Sequence, residues 1–353
     1  MSVSPDVPAV PPIPPDVRRL AIVGPSWVGD TVMATPVFRA ARQVLPRARL
    51  VAMVRRGLND VLAGNPWLDE VIVCDMKGAL GVLRLASAIR TCRADAVLLL
   101  PNSFRSALAA RLSGAPIRAG YDRDARGWLL THRHRARKTN SPVAMVEYYA
   151  DLARWALRVD HVDPTLELAA TNDDRAAAQI ILADVAPPFI VLNPGANRPD
   201  KRWPAERFAA VADVLARSHG LAAVASGSST EMNVLDAVVR AAKSPIMNLA
   251  KRGITLGTLK AVIEQAKLLI TNDTGPRHLA VALGTPVVTL FGPTDHRWTT
   301  PGALNCPRER LMLAEPFLPE QLVADRHSKA CAIDRIPVSD VISAARALLN
   351  GNP

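Results

Sequence analysis

The chain lacks the short signatures from which chemistry is most readily read. Its four cysteines, Cys74, Cys92, Cys306 and Cys331, stand far apart and form no C-x-x-C, so neither a disulfide framework nor a zinc site is indicated. Such unpaired cysteines fit a reducing compartment. Aromatic residues are sparse, with three Tyr and six Phe scattered along the chain, and no stacking motif such as an RNP box appears. Nucleic acid is therefore not an expected partner. No apolar run approaches the roughly 20 residues that span a bilayer. Residues 1–16 are proline-rich and lack the basic start and continuous apolar core of a signal peptide. They read as a disordered or extended tail, and the protein as cytoplasmic. Walker loops, a Ser-His-Asp order and G-x-G-x-x-G are all missing. His132 and His134, the closest His pair, are spaced poorly for zinc. The sequence thus predicts neither a metal nor a cofactor.

Positive charge, by contrast, is plentiful. Against 32 Asp and Glu stand 43 Lys and Arg, a formal net charge of +11, which favours an acidic ligand or an anionic surface. The 353 residues exceed one ordinary domain, and the hydrophobic share of 49% is that of a globular protein with a large core.

Short apolar runs alternate with amphipathic stretches. Strands are expected at 20–23, 50–54, 71–74 and 96–100, with helices at 31–45 and 80–89 between them. A basic segment, 118–140, reads as loop. After a helix at 145–157 the alternation restarts, with strands at 189–192, 222–225, 268–271 and 287–291. Helices are expected near 205–218, 231–242, 256–266 and 337–348. The pattern predicts two doubly wound α/β domains, 17–165 and 166–353, with parallel sheets. Ligands of open α/β sheets bind beyond the carboxyl ends of the strands, so two such domains facing each other would place their loops in one cleft.

Several loops at those strand ends carry chemistry. GPSWVGDTVMATP, 24–36, has the shape of a phosphate loop yet holds a carboxylate, Asp30. That residue reads as a helix N-cap or as a base kept ionised by the helix N-terminus. NPGANRPDKRWP, 193–204, offers Asn197 and Lys201 just before a helix, either to a phosphate or to solvent. TNDTGPRH, 271–278, gathers Asp273, Thr274, Gly275 and His278 where a strand meets a helix; simple capping explains one of them but not His278. SGSSTE, 226–231, places Glu231 either against sugar hydroxyls or in a helix cap. LPNSFRS, 100–106, sets Asn102, Ser103 and Arg105 at the same sheet edge as Asp30, or in an ordinary turn.

Taken together, IVGPSWVGDTVMATP, LPNSFRSAL, NPGANRPDKRWP and TNDTGPRHLAVALGTPVVTLFGPT resemble the bacterial lipopolysaccharide heptosyltransferases, glycosyltransferase family 9, of GT-B architecture. GPSWVGD and LPNSF-x-SAL are most similar to the heptosyltransferase II group. The resemblance implies metal-independent, inverting transfer of L-glycero-D-manno-heptose from ADP-heptose to the heptose of heptosyl-Kdo2-lipid A. It implies Asp30 as general base and Lys201 as the cation offsetting the leaving diphosphate. It further implies donor binding by Asn197, Lys201, Glu231, Asp273, Thr274, Gly275 and His278, with adenine near Ile254. Acceptor contacts would come from Trp27, Asn102, Ser103 and Arg105, with the basic residues 126–138 facing acidic Kdo or lipid A phosphates, and an anionic membrane surface is a separate expected contact of the protein. Arg277 departs from the family pattern by placing a charge where relatives are usually apolar. The tail and the stretch RHSKACAIDRI, 326–336, also depart from it. Within the family the rival is a member that adds another sugar or uses another acceptor, as heptosyltransferases I and III do. In other classes the rivals are an oxidoreductase, disfavoured by the missing G-x-G-x-x-G, and a non-catalytic nucleotide-sugar binder, which has no use for Asp30.

Overall fold

The computed structural model of the chain describes residues 11–78, 80–136, 141–300 and 307–351. Residues 1–10 of the tail, 137–140 of the basic segment and Cys306 lie outside these. The chain forms two compact units, Met1–Leu168 and Ala169–Pro353.

The first unit runs β1 (Arg19–Val23), α1 (Val28–Met33), α2 (Thr35–Val44), β2 (Arg49–Val54), α3 (Leu58–Leu62), β3 (Glu70–Val73) and α4 (Gly81–Thr91). It continues through β4 (Ala96–Leu99), α5 (Phe104–Ser113), β5 (Ile117–Tyr121), β6 (His132–His134) and α6 (Met145–Leu157). Its six strands lie in the order β3-β2-β1-β4-β5-β6, and every pairing is parallel. Runs such as Leu20–Val23 are buried on both faces, as a sheet covered by helices on both sides requires.

The second unit repeats the plan: α7 (Asn172–Ile181), β7 (Phe189–Asn193), α8 (Ala205–His219), β8 (Ala222–Ala225), α9 (Met232–Ala241), β9 (Ile246–Asn248) and α10 (Leu256–Gln265). Then follow β10 (Leu268–Asn272), α11 (Gly275–Leu283), β11 (Val287–Phe291), β12 (Glu309–Leu313) and α12 (Val338–Leu349). The order β12-β11-β10-β7-β8-β9 is again doubly wound, and its core gathers Ile190, Leu192, Phe208, Leu215, Ile270, Val288 and Val341. In both sheets the order reverses at one place, between β1 and β4 in the first and between β7 and β10 in the second. Those are the switch points at which such sheets bind ligands.

Four expectations are corrected. The helix expected at 31–45 starts earlier, with Trp27 at the N-cap, and breaks at Ala34. Pro36 has no N–H for the Val32 carbonyl, which instead accepts from Thr35 Oγ1 at 2.7 Å. The basic segment is not a loop throughout, since it contains β5 and β6, short strands too polar to read as such. Pro11–Asp16 is not a free tail: Ile13 is fully buried and its N–H donates to the Ala156 carbonyl at 3.0 Å. Finally, residues 166–168 belong with the first unit, because the Glu167 carboxylate is held by Arg39 and the Trp67 indole at 3.1 and 2.9 Å. Among the described residues no helix is long and apolar enough to cross a membrane.

Candidate active site

In the second unit the switch point is built around two strand-ending amides. Asn272, at the end of β10, donates to the Pro194 carbonyl at 2.8 Å and accepts from the Trp203 N–H at 3.2 Å. It therefore fastens the β7 loop to β10. Asn193 donates to Thr271 Oγ1 and Thr274 Oγ1 at 3.3 and 3.2 Å. Neither amide stood out in the sequence, although an amide closing an apolar strand at a switch point is a usable signal. Thr274 occupies the N-cap of α11 but makes no side-chain cap bond, so simple capping does not explain it.

Lys201 Nζ reaches Asp273 Oδ2 at 2.8 Å, with both side chains largely buried. Burial pushes the Asp273 carboxyl up, but Lys201 and Arg277 outweigh it and hold the group below the usual carboxylate range. The charge at Arg277 is accommodated within the chain. The guanidinium lies 2.7 Å from Glu309 Oε1, donates to Thr299 Oγ1 at 2.8 Å, rests over the Phe291 ring and stands 3.8 Å from Asp273. Burial and the Arg277 charge lower the His278 pKa to about 4, so this imidazole is neutral at physiological pH. The Lys201–Asp273 pair and the Thr274 hydroxyl thus stand together at the first turn of a nine-residue helix, a setting that suits a phosphate.

Glu231 serves as the acid of a capping box, accepting from the Ser228 N–H at 2.8 Å and Ser228 Oγ at 2.7 Å through Oε2. Its Oε1 lies against Gly195; a Cβ there would come within 2.0 Å of it. The capping residue is thus Ser228, where the sequence predicts Thr230 or Ser229, and the same carboxylate also meets the β7 loop. Asn197 is exposed on that loop, and Ile254 is half-buried before α10. No side-chain bond joins either of them to the Lys201 cluster among the described residues.

In the first unit, Asp30 lies in the first turn of α1, next to the switch point, and is half-buried. No hydrogen bond or ion pair engages its carboxylate among the described residues. Burial raises its pKa from 3.8 to about 6. The cause is loss of water around the carboxyl, and at about 6 the group is still mostly ionised at neutral pH, as a base requires. Tyr149 of α6 is buried close enough for the Asp30 charge to push its phenol up further.

The acceptor candidates separate. Trp27 is exposed, with the Arg55 guanidinium 6.0 Å from its ring centroid. Asn102 bonds the Tyr148 hydroxyl at 2.9 Å. Ser103 caps α5, and Arg105 donates to the Met76 and Gly78 carbonyls at 2.8 and 2.6 Å. The last two therefore hold local structure. Arg126 does not face solvent as expected: it is fully buried, bonds the Tyr121 carbonyl at 3.0 Å and has its pKa lowered to about 10 by burial. Among the described residues no group of three or more His, Cys, Asp or Glu is placed to hold a metal ion.

Two doubly wound units with this pair of switch points are of the GT-B type of glycosyltransferase. The chain aligns with the solved E. coli ADP-heptose lps heptosyltransferase II at a TM-score of 0.78 and 27% identity, covering 94% of this chain and 99% of that one. With the glycosyltransferase family 9 protein of Veillonella parvula the TM-score is 0.80 at 25% identity, covering 95% and 97%. Residues 82–320 match glycosyltransferase family 9 (heptosyltransferase). Lipopolysaccharide heptosyltransferase 2 of E. coli K12 is 30% identical over 300 residues, which are 80% of this chain and 85% of the relative. The chain belongs to glycosyltransferase family 9 and is a glycosyltransferase.

Proposed function

We propose that the chain transfers L-glycero-D-manno-heptose from ADP-heptose to the heptose of heptosyl-Kdo2-lipid A, inverting the anomeric centre without a metal. The observation that carries this reading is the Lys201–Asp273 pair beside Thr274 at one switch point, matched by an unpaired, half-buried Asp30 at the other. Asp30 takes the proton from the acceptor hydroxyl as its oxygen bonds to the anomeric carbon. The bond from that carbon to the diphosphate breaks, and ADP leaves with the electron pair. Lys201 and the start of α11 stabilise the charge on ADP. Glu231 takes the ribose hydroxyls and Ile254 borders the adenine; Asn197 completes the diphosphate loop. Trp27 and Asn102 contact the acceptor sugar. Because that acceptor is lipid-linked, the work takes place at the cytoplasmic face of the inner membrane.

Purified protein offered ADP-heptose, UDP-sugars and GDP-sugars with defined core acceptors tests the reading. Mass gain of one heptose from ADP-heptose alone is expected. No turnover with ADP-heptose on any heptose-bearing acceptor would refute it, and transfer of a different sugar would favour another family 9 specificity.

Gly195 supplies a further test. A methyl group there displaces the Glu231 carboxyl that closes the capping box at Ser228, so Gly195→Ala should lower stability by about 1 kcal/mol, the usual cost of a lost helix cap. Calorimetry on the folded variant should find ADP-heptose binding about ten- to a hundredfold weaker, the usual scale for losing a hydrogen bond to a charged group. Unchanged affinity would remove Glu231 from the donor site.

A further inference from the structure

Helices α4 and α5 pack side by side and carry no Asp or Glu between them. The exposed positions of α5 are Phe104, Arg105, Arg111 and Leu112, flanking half-buried Leu108, the spacing of a single helical stripe. On α4 the exposed positions include Leu83, Arg84, Ser87 and Arg90, continuing from Leu80 just before the helix. Large apolar side chains stand far out of the surface: Leu80 is 57% exposed, Leu83 56% and Leu112 43%. Trp128, 70% exposed, lies on a short turn packed against α5, its ring 6.1 Å from that of Phe104.

An ordinary solvated helix face mixes acids with bases and keeps leucine inward. Here leucine and aromatic side chains point outward among cations. Arg84 and Arg111 form no hydrogen bond or ion pair through their side chains among the described residues. Asp95, the one acid between the two helices in sequence, is engaged at the opposite end of β4 by the Arg18 and Arg19 N–H groups at 3.0 and 2.9 Å. Apolar side chains that enter an interface, combined with arginines for lipid phosphates, are the chemistry of a surface that lies on an anionic bilayer. A protein partner with an acidic groove would not need five separate apolar side chains standing clear of the surface.

We infer that the face formed by α4, α5 and the Trp128 turn docks the protein peripherally on an anionic phospholipid bilayer. The face stands at the carboxyl-end edge of the first sheet through Phe104 and Leu80, the edge that also carries Asp30. A protein lying on the bilayer by this face meets a lipid-linked acceptor without extracting it. The contact deepens the membrane part of the proposed function but does not depend on which sugar is transferred.

Co-sedimentation of the full chain with vesicles tests it directly. Wild-type protein should pellet with phosphatidylethanolamine vesicles containing phosphatidylglycerol and stay in solution with phosphatidylcholine alone, and salt should weaken the binding. Arg84→Gln/Arg111→Gln should bind about thirtyfold more weakly, from roughly 1 kcal/mol per basic residue at such a surface. Phe104→Ser/Trp128→Ser should remove the binding that survives high salt. Arg240→Gln/Arg346→Gln removes the same charge from exposed positions of the second unit and should bind as wild type does. All of these positions are exposed, and circular dichroism confirms folding of each variant. The inference is overturned if wild type ignores lipid charge, or if the two arginine pairs lose binding equally. A wild-type dimer that the α4–α5 variants dissociate would likewise overturn it in favour of a second copy of the chain.

Discussion

Asp30→Asn is expected to lower transfer by about 10²- to 10⁴-fold, the usual range for loss of a positioned general base, while ADP-heptose binding measured without acceptor stays near the wild-type value. Asparagine keeps the shape of the side chain but cannot accept the proton. The same substitution should make the protein more stable at neutral pH. The carboxyl binds its proton more tightly folded, at about 6, than unfolded, near 3.8, so this group disfavours folding increasingly as pH rises from about 4 to 6 and fully above that. The displacement corresponds to at most about 3 kcal/mol. Higher melting temperature together with lost turnover would mark Asp30 as a residue kept for chemistry at a cost in stability. Unchanged turnover would remove it from the mechanism.

Lys201→Ala should also be severe, for a different reason. If Lys201 stabilises the departing diphosphate, kcat falls by about 10²- to 10³-fold, the scale seen when one preorganised electrostatic contact is removed. Removal also leaves Asp273 buried with Arg277 as its nearest cation, which destabilises the fold. Because its folded pKa lies below the unfolded one, Asp273 stabilises the wild type above about pH 4. That stability is lost as pH falls through the lower folded value, and Lys201→Ala reduces it throughout the neutral range. The double variant Lys201→Ala/Asp273→Asn separates the two effects: melting temperature should recover and turnover should not. Recovery of both would make Lys201 a structural partner of Asp273 and nothing more.

The frame of the fold was legible because apolar runs such as Phe189–Leu192 and Leu268–Thr271 are buried on both faces and need no partner to be recognised. Elements at the margins were not legible. His132–His134 pairs as an edge strand despite being polar throughout, and Glu309–Leu313 begins with a charge that makes sense only beside Arg277 and Thr289. Among site residues, Asp273, Thr274 and Lys201 could be located from strand ends and helix starts, but their pairing spans 72 positions in sequence and depends on β7 lying beside β10. Burial decides two features. Arg126 belongs to a basic segment in sequence yet is enclosed between the Pro101 carbonyl just beyond β4 and the Tyr121 carbonyl at the end of β5. Asp30 owes its elevated pKa to enclosure, which composition and spacing do not encode.

The pH dependence of kcat/KM for wild-type transfer from ADP-heptose to a heptosyl-Kdo2-lipid A acceptor tests the central claim most directly. Below about pH 6 the rate should fall tenfold per pH unit as Asp30 takes up its proton, and it should level off above, with the acid limb missing from the residual activity of Asp30→Asn. A profile that stays flat through pH 6, or an acid limb that persists unchanged in Asp30→Asn, would contradict Asp30 as the base.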